Sequence, residues 1–157
     1  MRRGALLAFV GVLTAFLAAC GGMPRIVVLD DPLTPEEHLN LGVAYEKRGE
    51  LDLAVKEYEA ASGELPLGYL YLGNARFLME DYDRAERAYR KAVRKMPGNA
   101  DAHNNLAWLL YTKGERLDEA ESHALRALEL DPTGDGVYRD TLEKIRALMK
   151  EREGAPR

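Results

Sequence analysis

The sequence predicts an all-α solenoid of three helix pairs closed by one further helix. Two periodicities predict it. Ala54, Tyr58, Ala61 and Pro66 return as Ala85, Tyr89, Ala92 and Pro97, and again as Ala120, Ala124, Ala127 and Pro132, with steps of 4, 3 and 5 residues in every set. Independently, a ring recurs at His38, Tyr69, His103 and Tyr138, spaced 31, 34 and 35 residues apart. A period of that length describes a supersecondary unit that cannot bury its own apolar face and must stack on its neighbours.

Each unit reads as helix, turn, helix. Upstream of the alanine sets lie Leu41, Gly42 and Tyr45, then Leu72, Gly73 and Phe77, then Leu106, Ala107 and Leu110, all on helically spaced stretches. Gly42, Gly73 and Ala107 let the first helix approach its partner, and Ala54, Ala85 and Ala120 do the same from the second. Tyr58 and Tyr89 are large enough to fill the gap to the next unit. The prolines should close each second helix, because proline cannot continue a helix and restricts the residue before it.

The motif H-x2-L-G-x2-Y from His38, followed by A-x3-Y-x2-A-x4-P from Ala54, resembles the tetratricopeptide repeat. The resemblance covers roughly residues 35–132 and implies a right-handed α-solenoid. It divides this stretch into three repeats, about 35–66, 67–97 and 98–132. Three departures stand out. The first-to-second step is short by about three residues, which should leave Leu67 and Gly68 in the connection. Gly114 to Ala120 is one residue longer than the matching turns. Arg76 stands where the family prefers tyrosine.

The first helix should begin cleanly at Thr34-Pro35-Glu36-Glu37, with a threonine cap, proline at the first helical position and glutamate at the third. At the far end, residues 134–152 should form a capping helix. Its apolar face is Tyr138, Thr141, Leu142, Ile145 and Leu148 to Met149, and its outward side is charged. Residues 153–157 are expected to be a disordered tail, with fraying from Arg152.

The amino end has a different character. Arg2 and Arg3 precede an uncharged apolar run from Ala5 to Leu17, and Leu17-Ala18-Ala19-Cys20 follows. This is the pattern of a secretory signal, and the run is too short for a comfortable membrane span. The L-A-A-C box resembles the bacterial lipoprotein signal, which implies cleavage after residue 19 and lipidation of Cys20, the single cysteine. More than one acyl chain, palmitate among them, would anchor the protein stably. Gly21, in place of the aspartate that favours inner-membrane retention in enteric bacteria, points to the outer membrane facing the periplasm. Residues 20–33 would form the tether. Within it Arg25-Ile26-Val27-Val28-Leu29 is β-branched and apolar, suited to packing on the first helix or the solenoid's flank, to adding as a strand to a partner, or to lying in the groove.

The whole chain carries a formal net charge of −4. Removal of residues 1–19 leaves 20 basic against 26 acidic residues, a net charge of −6. Such a balance argues against nucleic acid as a partner and against charge-driven docking on anionic lipid. No phosphate loop, HExxH or CxxC occurs. His38 and His103 hold ring-ladder positions, where half-buried packing is the simpler role. Ser122 and His123 are adjacent on a helix and diverge, so they form no nucleophile–base pair. No catalytic residue, metal or cofactor is expected, and neither is a small-molecule substrate.

Function is therefore expected on a surface. The family's groove positions fall on Leu39, Val43, Glu46 and Lys47 in the first unit. In the second they fall on Leu70, Asn74, Phe77 and Leu78, and in the third on Asn104, Trp108, Tyr111 and Thr112. Asn74 and Asn105 match asparagines that related modules use to bond an extended peptide's backbone. The positions of a basic carboxylate clamp hold Leu39, Val43, Leu70 and Gly136 instead, so the resemblance implies an apolar peptide or helix as ligand. Trp108, Tyr111 and Phe77 are the natural anchors. The chain is similar to small tetratricopeptide lipoproteins of bacterial envelopes, which implies a protein-binding scaffold. A second similarity, from Gly73-Asn74-Ala75 to Tyr138-Arg139-Asp140-Thr141-Leu142, is to helical tails of envelope C39-type peptidases, which leaves open an accessory subunit of such an enzyme. Self-assembly through an open solenoid end is a third possibility.

The register itself is testable. Ala85→Leu should destabilise the fold by about 1–3 kcal/mol through overpacking, read from denaturant melts. An unchanged midpoint would mean the register is misplaced.

Overall fold

The computed structural model describes residues 32–133 and 136–154. The expected signal segment, the expected lipidation site Cys20, the tether with its expected strand-like stretch at residues 25–29, and the last three residues of the chain lie outside the described residues. Leu33–Arg157 forms one compact unit. Its described residues contain seven helices and no strands. These are α1 (Pro35–Lys47), α2 (Leu51–Ser62), α3 (Leu67–Leu78), α4 (Tyr82–Lys95), α5 (Ala100–Lys113), α6 (Leu117–Leu130) and α7 (Val137–Gly154). Each helix packs on the next, giving pairs α1–α2, α3–α4 and α5–α6, with α7 laid against α6 and α5.

The helix starts follow from local chemistry. The Thr34 hydroxyl accepts from the Glu37 backbone amide at 3.2 Å, and the Glu37 carboxylate accepts from the Thr34 amide at 2.8 Å. This reciprocal box satisfies two amides that have no partner within the helix. Asp81 and Asn99 cap α4 and α5 through their side chains.

Close approach within each pair rests on matched sizes. A Cβ added at Gly42 would lie 2.4 Å from the Tyr58 ring, and one at Gly73 would lie 2.4 Å from the Tyr89 ring. These tyrosines therefore pack first on the glycine of their own pair. Tyr58 also reaches the next pair, with its ring 5.5 Å from that of Tyr71. In the third pair the ring is replaced by Ala124 and the glycine by Ala107, both fully buried. A small residue replaces a large one on one helix, and the opposing helix gains the missing carbon.

Of the two length irregularities, the first resolves differently from expectation and the second as expected. Leu67 and Gly68 belong to the first turn of α3, not to the connection. With three residues missing, α2 stops at Ser62 and Pro66 serves as the N-cap of α3 in place of a helix terminator. The two backbones then press together, and a Cβ on Gly68 would lie 2.6 Å from the Ser62 amide nitrogen. In the third pair, the extra residue appears as a second left-handed residue. The first two turns each have one positive φ, at Gly49 and Glu80, whereas the third has two, at Gly114 and Arg116. Arg116, at φ 48°, is held by its guanidinium on Glu86 at 2.7 Å.

That ion pair belongs to a network joining three helices. Glu86 on α4, its side chain only 13% exposed, takes Arg90, Lys113 and Arg116 within 3.1 Å. Arg90 in turn forks onto both oxygens of Glu119 on α6, at 2.6 and 3.0 Å. Burial alone would raise the Glu86 pKa. The hydrogen bonds from Arg116, Arg90 and Lys113 outweigh it and bring the carboxyl to about 2. Arg76, at the position of the family's tyrosine, pairs with Glu59 at 3.1 Å and with Asp81 at 3.7 Å.

The terminal helix buries Tyr138, Thr141, Leu142 and Ile145 and leaves its charged side outward. It runs through Gly154, past the expected end at residue 152, so residues 153 and 154 are helical and not part of a disordered tail. Arg152 does not fray, because its guanidinium donates to the Gly114 carbonyl at 2.8 Å. Gly114 is left-handed at φ 64°, and an added Cβ would lie 2.7 Å from the Arg152 guanidinium, whose flexible end would have to shift.

The ring ladder is more deeply buried than the sequence suggests. His38 and His103 are each 7% exposed and hydrogen-bonded. The His38 Nδ1 donates to Glu57 at 2.7 Å. The His103 Nε2 faces the Pro97 carbonyl at 3.2 Å, which can only accept, so Nε2 carries the proton and Nδ1 accepts from the Nδ1 of His123 at 2.9 Å. Tyr138 donates to Asp101 at 2.8 Å.

Two predictions follow from these contacts. Gly73→Ala should destabilise by about 1–3 kcal/mol, yet add little to Tyr89→Ala, because the alanine pair reproduces the third repeat. Strictly additive losses in a double-mutant cycle would contradict the size-matching account. The second concerns pH. Burial lowers the His103 pKa below its ordinary 6.5 and outweighs the opposing Pro97 bond. Burial, then the neighbouring His103, lowers His123. Their contribution is thus complete above pH 6.5 and is lost as pH falls through the depressed folded values. Replacing them by the second pair's residues, as His103→Tyr with His123→Ala, should remove the slope of stability with pH in that window. A slope that persists would assign it elsewhere.

Candidate interaction surface

The first helices of the second and third pairs frame a recess of about 300 Å³ lined by Asn74, Phe77, Leu78, Tyr89, Asn105 and Trp108. Helical spacing accounts for the lining. Asn74, Phe77 and Leu78 lie at i, i+3 and i+4 on α3, while Asn105 and Trp108 lie at i and i+3 on α5. Leu78 is 57% exposed, the largest exposure among the large apolar residues described. Phe77 stacks on Tyr82 at 5.4 Å, and Trp108 on Tyr111 at 5.1 Å. Lys144 of α7 lies over the Trp108 ring at 5.1 Å. Trp108 is half-buried and braced from two sides, with an edge on the recess.

The two asparagines are bonded to each other. The Asn74 Oδ1 accepts from Tyr89 Oη and from Asn105 Nδ2, both at 2.9 Å. Sequence reasoning placed both asparagines at ligand-facing positions but did not foresee this bridge. Its signal was present in the tyrosine one turn after Ala85, whose hydroxyl needs an acceptor. The bridge fixes both amide planes and leaves the Asn74 Nδ2 and the Asn105 Oδ1 without a partner among the described residues. One is a donor and the other an acceptor, and neither is a buried orphan. That is the complement of a peptide group's carbonyl and amide.

A second, polar recess of about 350 Å³ shares Asn105 and extends along the same face of α5 to Asp101 and Asn104, with Asp131, Thr133 and Tyr138 opposite. Asn104 is 6% exposed, and its buried Oδ1 has no hydrogen-bond partner among the described residues.

The remaining predicted groove residues are placed less openly. Leu70 does not line a groove: it is 5% exposed and belongs to the main apolar core. Leu39 and Val43 are half-buried against a smaller cluster around Ala54, Val55, Tyr58 and Ala75. Glu46 is occupied by the Tyr58 hydroxyl at 2.7 Å. Lys47 is exposed, and Thr112 turns back to the Trp108 carbonyl at 2.8 Å. Tyr111 packs against the core edge. Of the predicted groove residues, those that line a recess thus belong to the second and third pairs.

Comparison with known proteins agrees with this architecture. Two tetratricopeptide-repeat family models match, one at residues 38–63 and the other at residues 70–135. A human protein O-mannosyl-transferase, TMTC2, is 33% identical over 100 residues, and the Drosophila melanogaster protein O-mannosyl-transferase Tmtc1 is 31% identical over 118 residues. The matches take in 60% and 68% of this chain but only 12% and 14% of those proteins. Among solved structures, the first tetratricopeptide domain of Spaghetti (RPAP3) bound to the HSP90 peptide SRMEEVD superposes with a TM-score of 0.70 at 21% identity, covering 78% of this chain and 98% of that one. The Yersinia enterocolitica type III secretion chaperone SycD, in complex with a peptide of the translocator YopD, gives a TM-score of 0.66 at 24% identity, covering 74% and 93%. With three matched repeat registers, two family models and this shared fold, the chain belongs to the tetratricopeptide-repeat family.

Proposed function

We propose that this protein is a non-enzymatic interaction scaffold that binds a peptide or helix of a protein partner along the faces of α3 and α5. The observation that carries the proposal is the recess between those helices. It offers exposed apolar surface at Leu78, braced aromatic rings at Phe77 and Trp108, and a fixed amide donor and acceptor at Asn74 and Asn105. Apolar rings give affinity by desolvation, and the amide pair fixes a backbone without reading its side chains. Two of the structural neighbours hold peptides, which supports the same use of the fold here.

The lipoprotein-like amino end extends the proposal to location. The scaffold would be held in a bacterial cell envelope by acyl chains on Cys20, most simply at the outer membrane facing the periplasm. Support comes from Arg2 and Arg3, the apolar run and the L-A-A-C box. No helix among the described residues is long and apolar enough to cross a membrane.

Recovery of partners from envelope extract tests the recess. Trp108→Ala and Phe77→Ala should each weaken capture by about 2 kcal/mol or more, the usual cost of truncating a central aromatic anchor, with the fold intact by circular dichroism. If both variants retain every partner, the recess is not the binding site. Cys20→Ala should release the protein from membranes, and retention after that change would exclude the acyl anchor.

A further inference from the structure

The opposite face of α3 holds a further cavity, which shares no residue with either recess. At roughly 100° per residue, Tyr69, Leu72 and Arg76 point away from Asn74, Phe77 and Leu78. With Ala88 of α4 they enclose about 230 Å³, rimmed by Arg84, Arg87 and Lys91 and, across from these, Glu59 of α2.

The repeats explain why the space is open. Tyr69 is the second pair's counterpart of His38 and His103, and Ala88 is its counterpart of Glu57 and His123. In the first pair, His38 and Glu57 fill this location with a 2.7 Å hydrogen bond. In the third, His103 and His123 fill it with a 2.9 Å hydrogen bond. The second pair alone has a methyl group there. Its ring meets Lys91 instead, the ammonium lying 5.1 Å from the Tyr69 centroid.

The rim is cationic in a chain whose net charge is −4. Arg84 is taken up by Asp81 at 2.8 Å. Arg76 pairs with Glu59 at 3.1 Å and with Asp81 at 3.7 Å. No ion pair engages Arg87 or Lys91 among the described residues, and both are exposed. Glu59 shows how a carboxylate sits here: it reaches an Arg76 side chain that is only 15% exposed while itself staying 56% exposed, free to swing away.

We propose that this cavity is a second docking site, which takes an acidic segment of a partner protein. A carboxylate would sit among Arg76, Arg87 and Lys91, in the place that Glu57 occupies in the first pair, and apolar atoms beside it would rest on Tyr69 and Leu72. The negative Glu59 on the rim and the mixed apolar floor favour a single carboxylate on an apolar stem over a polyphosphate or a lipid surface. The site is independent of the recess and would let the scaffold hold two segments at once.

Fluorescence polarisation with the full chain tests this, using a labelled peptide rich in Glu and Leu and a twin with Gln in place of every Glu. The acidic peptide should bind, its twin should not, and binding should weaken as salt rises from roughly 50 to 300 mM. Arg87→Glu with Lys91→Glu should cut affinity about tenfold or more. Ala88→Glu, which supplies the carboxylate from within as in the first pair, should do the same. Trp108→Ala should leave it unchanged. The proposal is overturned if the acidic peptide fails to bind, if the Arg87/Lys91 variant binds like the wild type, or if the Gln twin binds equally well. Loss in Trp108→Ala alone would place the peptide in the recess instead. Binding to phosphatidylglycerol vesicles but not to the peptide, abolished by the same charge reversals, would assign the patch to lipid and also overturn it.

Discussion

The contact between a tyrosine ring and a bare glycine backbone sets the geometry on which everything else depends. Gly42 against Tyr58 and Gly73 against Tyr89 bring the two helices of a pair to a distance that no Cβ would permit. The approach buries the tyrosine rings, and burial pushes both hydroxyls up from their ordinary pKa, so they remain donors. The Tyr89 hydroxyl then needs an acceptor and takes Asn74, which orders Asn105. A packing constraint at the base of the pair is thereby passed to the amides that face a ligand.

Charge supplies the second layer of order. Apolar stacking between repeats is non-directional and would tolerate small rotations of one pair against the next. The Glu86 cluster and the bidentate Arg90–Glu119 contact do not, because a forked guanidinium requires a defined plane. Arg116 extends this logic to the backbone. A non-glycine residue in the left-handed region carries a steric cost, and here the strained residue is the one that reaches Glu86 across the repeat boundary. The inserted residue that lengthens the third unit is thus part of the clamp between pairs.

The repeat register, the pairing of helices and the terminal cap were legible because each depends on small residues and rings at fixed spacing. The groove was legible only in its central part. Phe77, Trp108, Asn74 and Asn105 follow from helical phase alone, but Leu70 shares that phase and is buried, since its exposure is decided by how closely neighbouring pairs stack. The role of Gly68 could not be read, because it answers to the backbone of Ser62 after a shortened connection. The helical end at Gly154 was equally hidden, because Arg152 finds its acceptor 38 residues away. Hydrogen-bond partners distant in sequence leave no periodic trace.

The three pairs share one plan but not one set of contacts, and this gives the array an intrinsic order. Asn105 reaches back to Asn74, Arg90 forward to Glu119, and Arg146 of the cap to Glu121 at 2.6 Å. The Asn105–Asn74 and Arg90–Glu119 partners have no equivalent one repeat away, whereas Glu121 stands where Glu86 stands in the second pair and, like it, binds a basic residue of the next helix. Unlike modules that can be exchanged along a homogeneous stack, the second and third pairs are matched to each other. Insertion or removal of a whole repeat between the second and third pairs would therefore break both the Asn105–Asn74 bond and the Arg90–Glu119 fork.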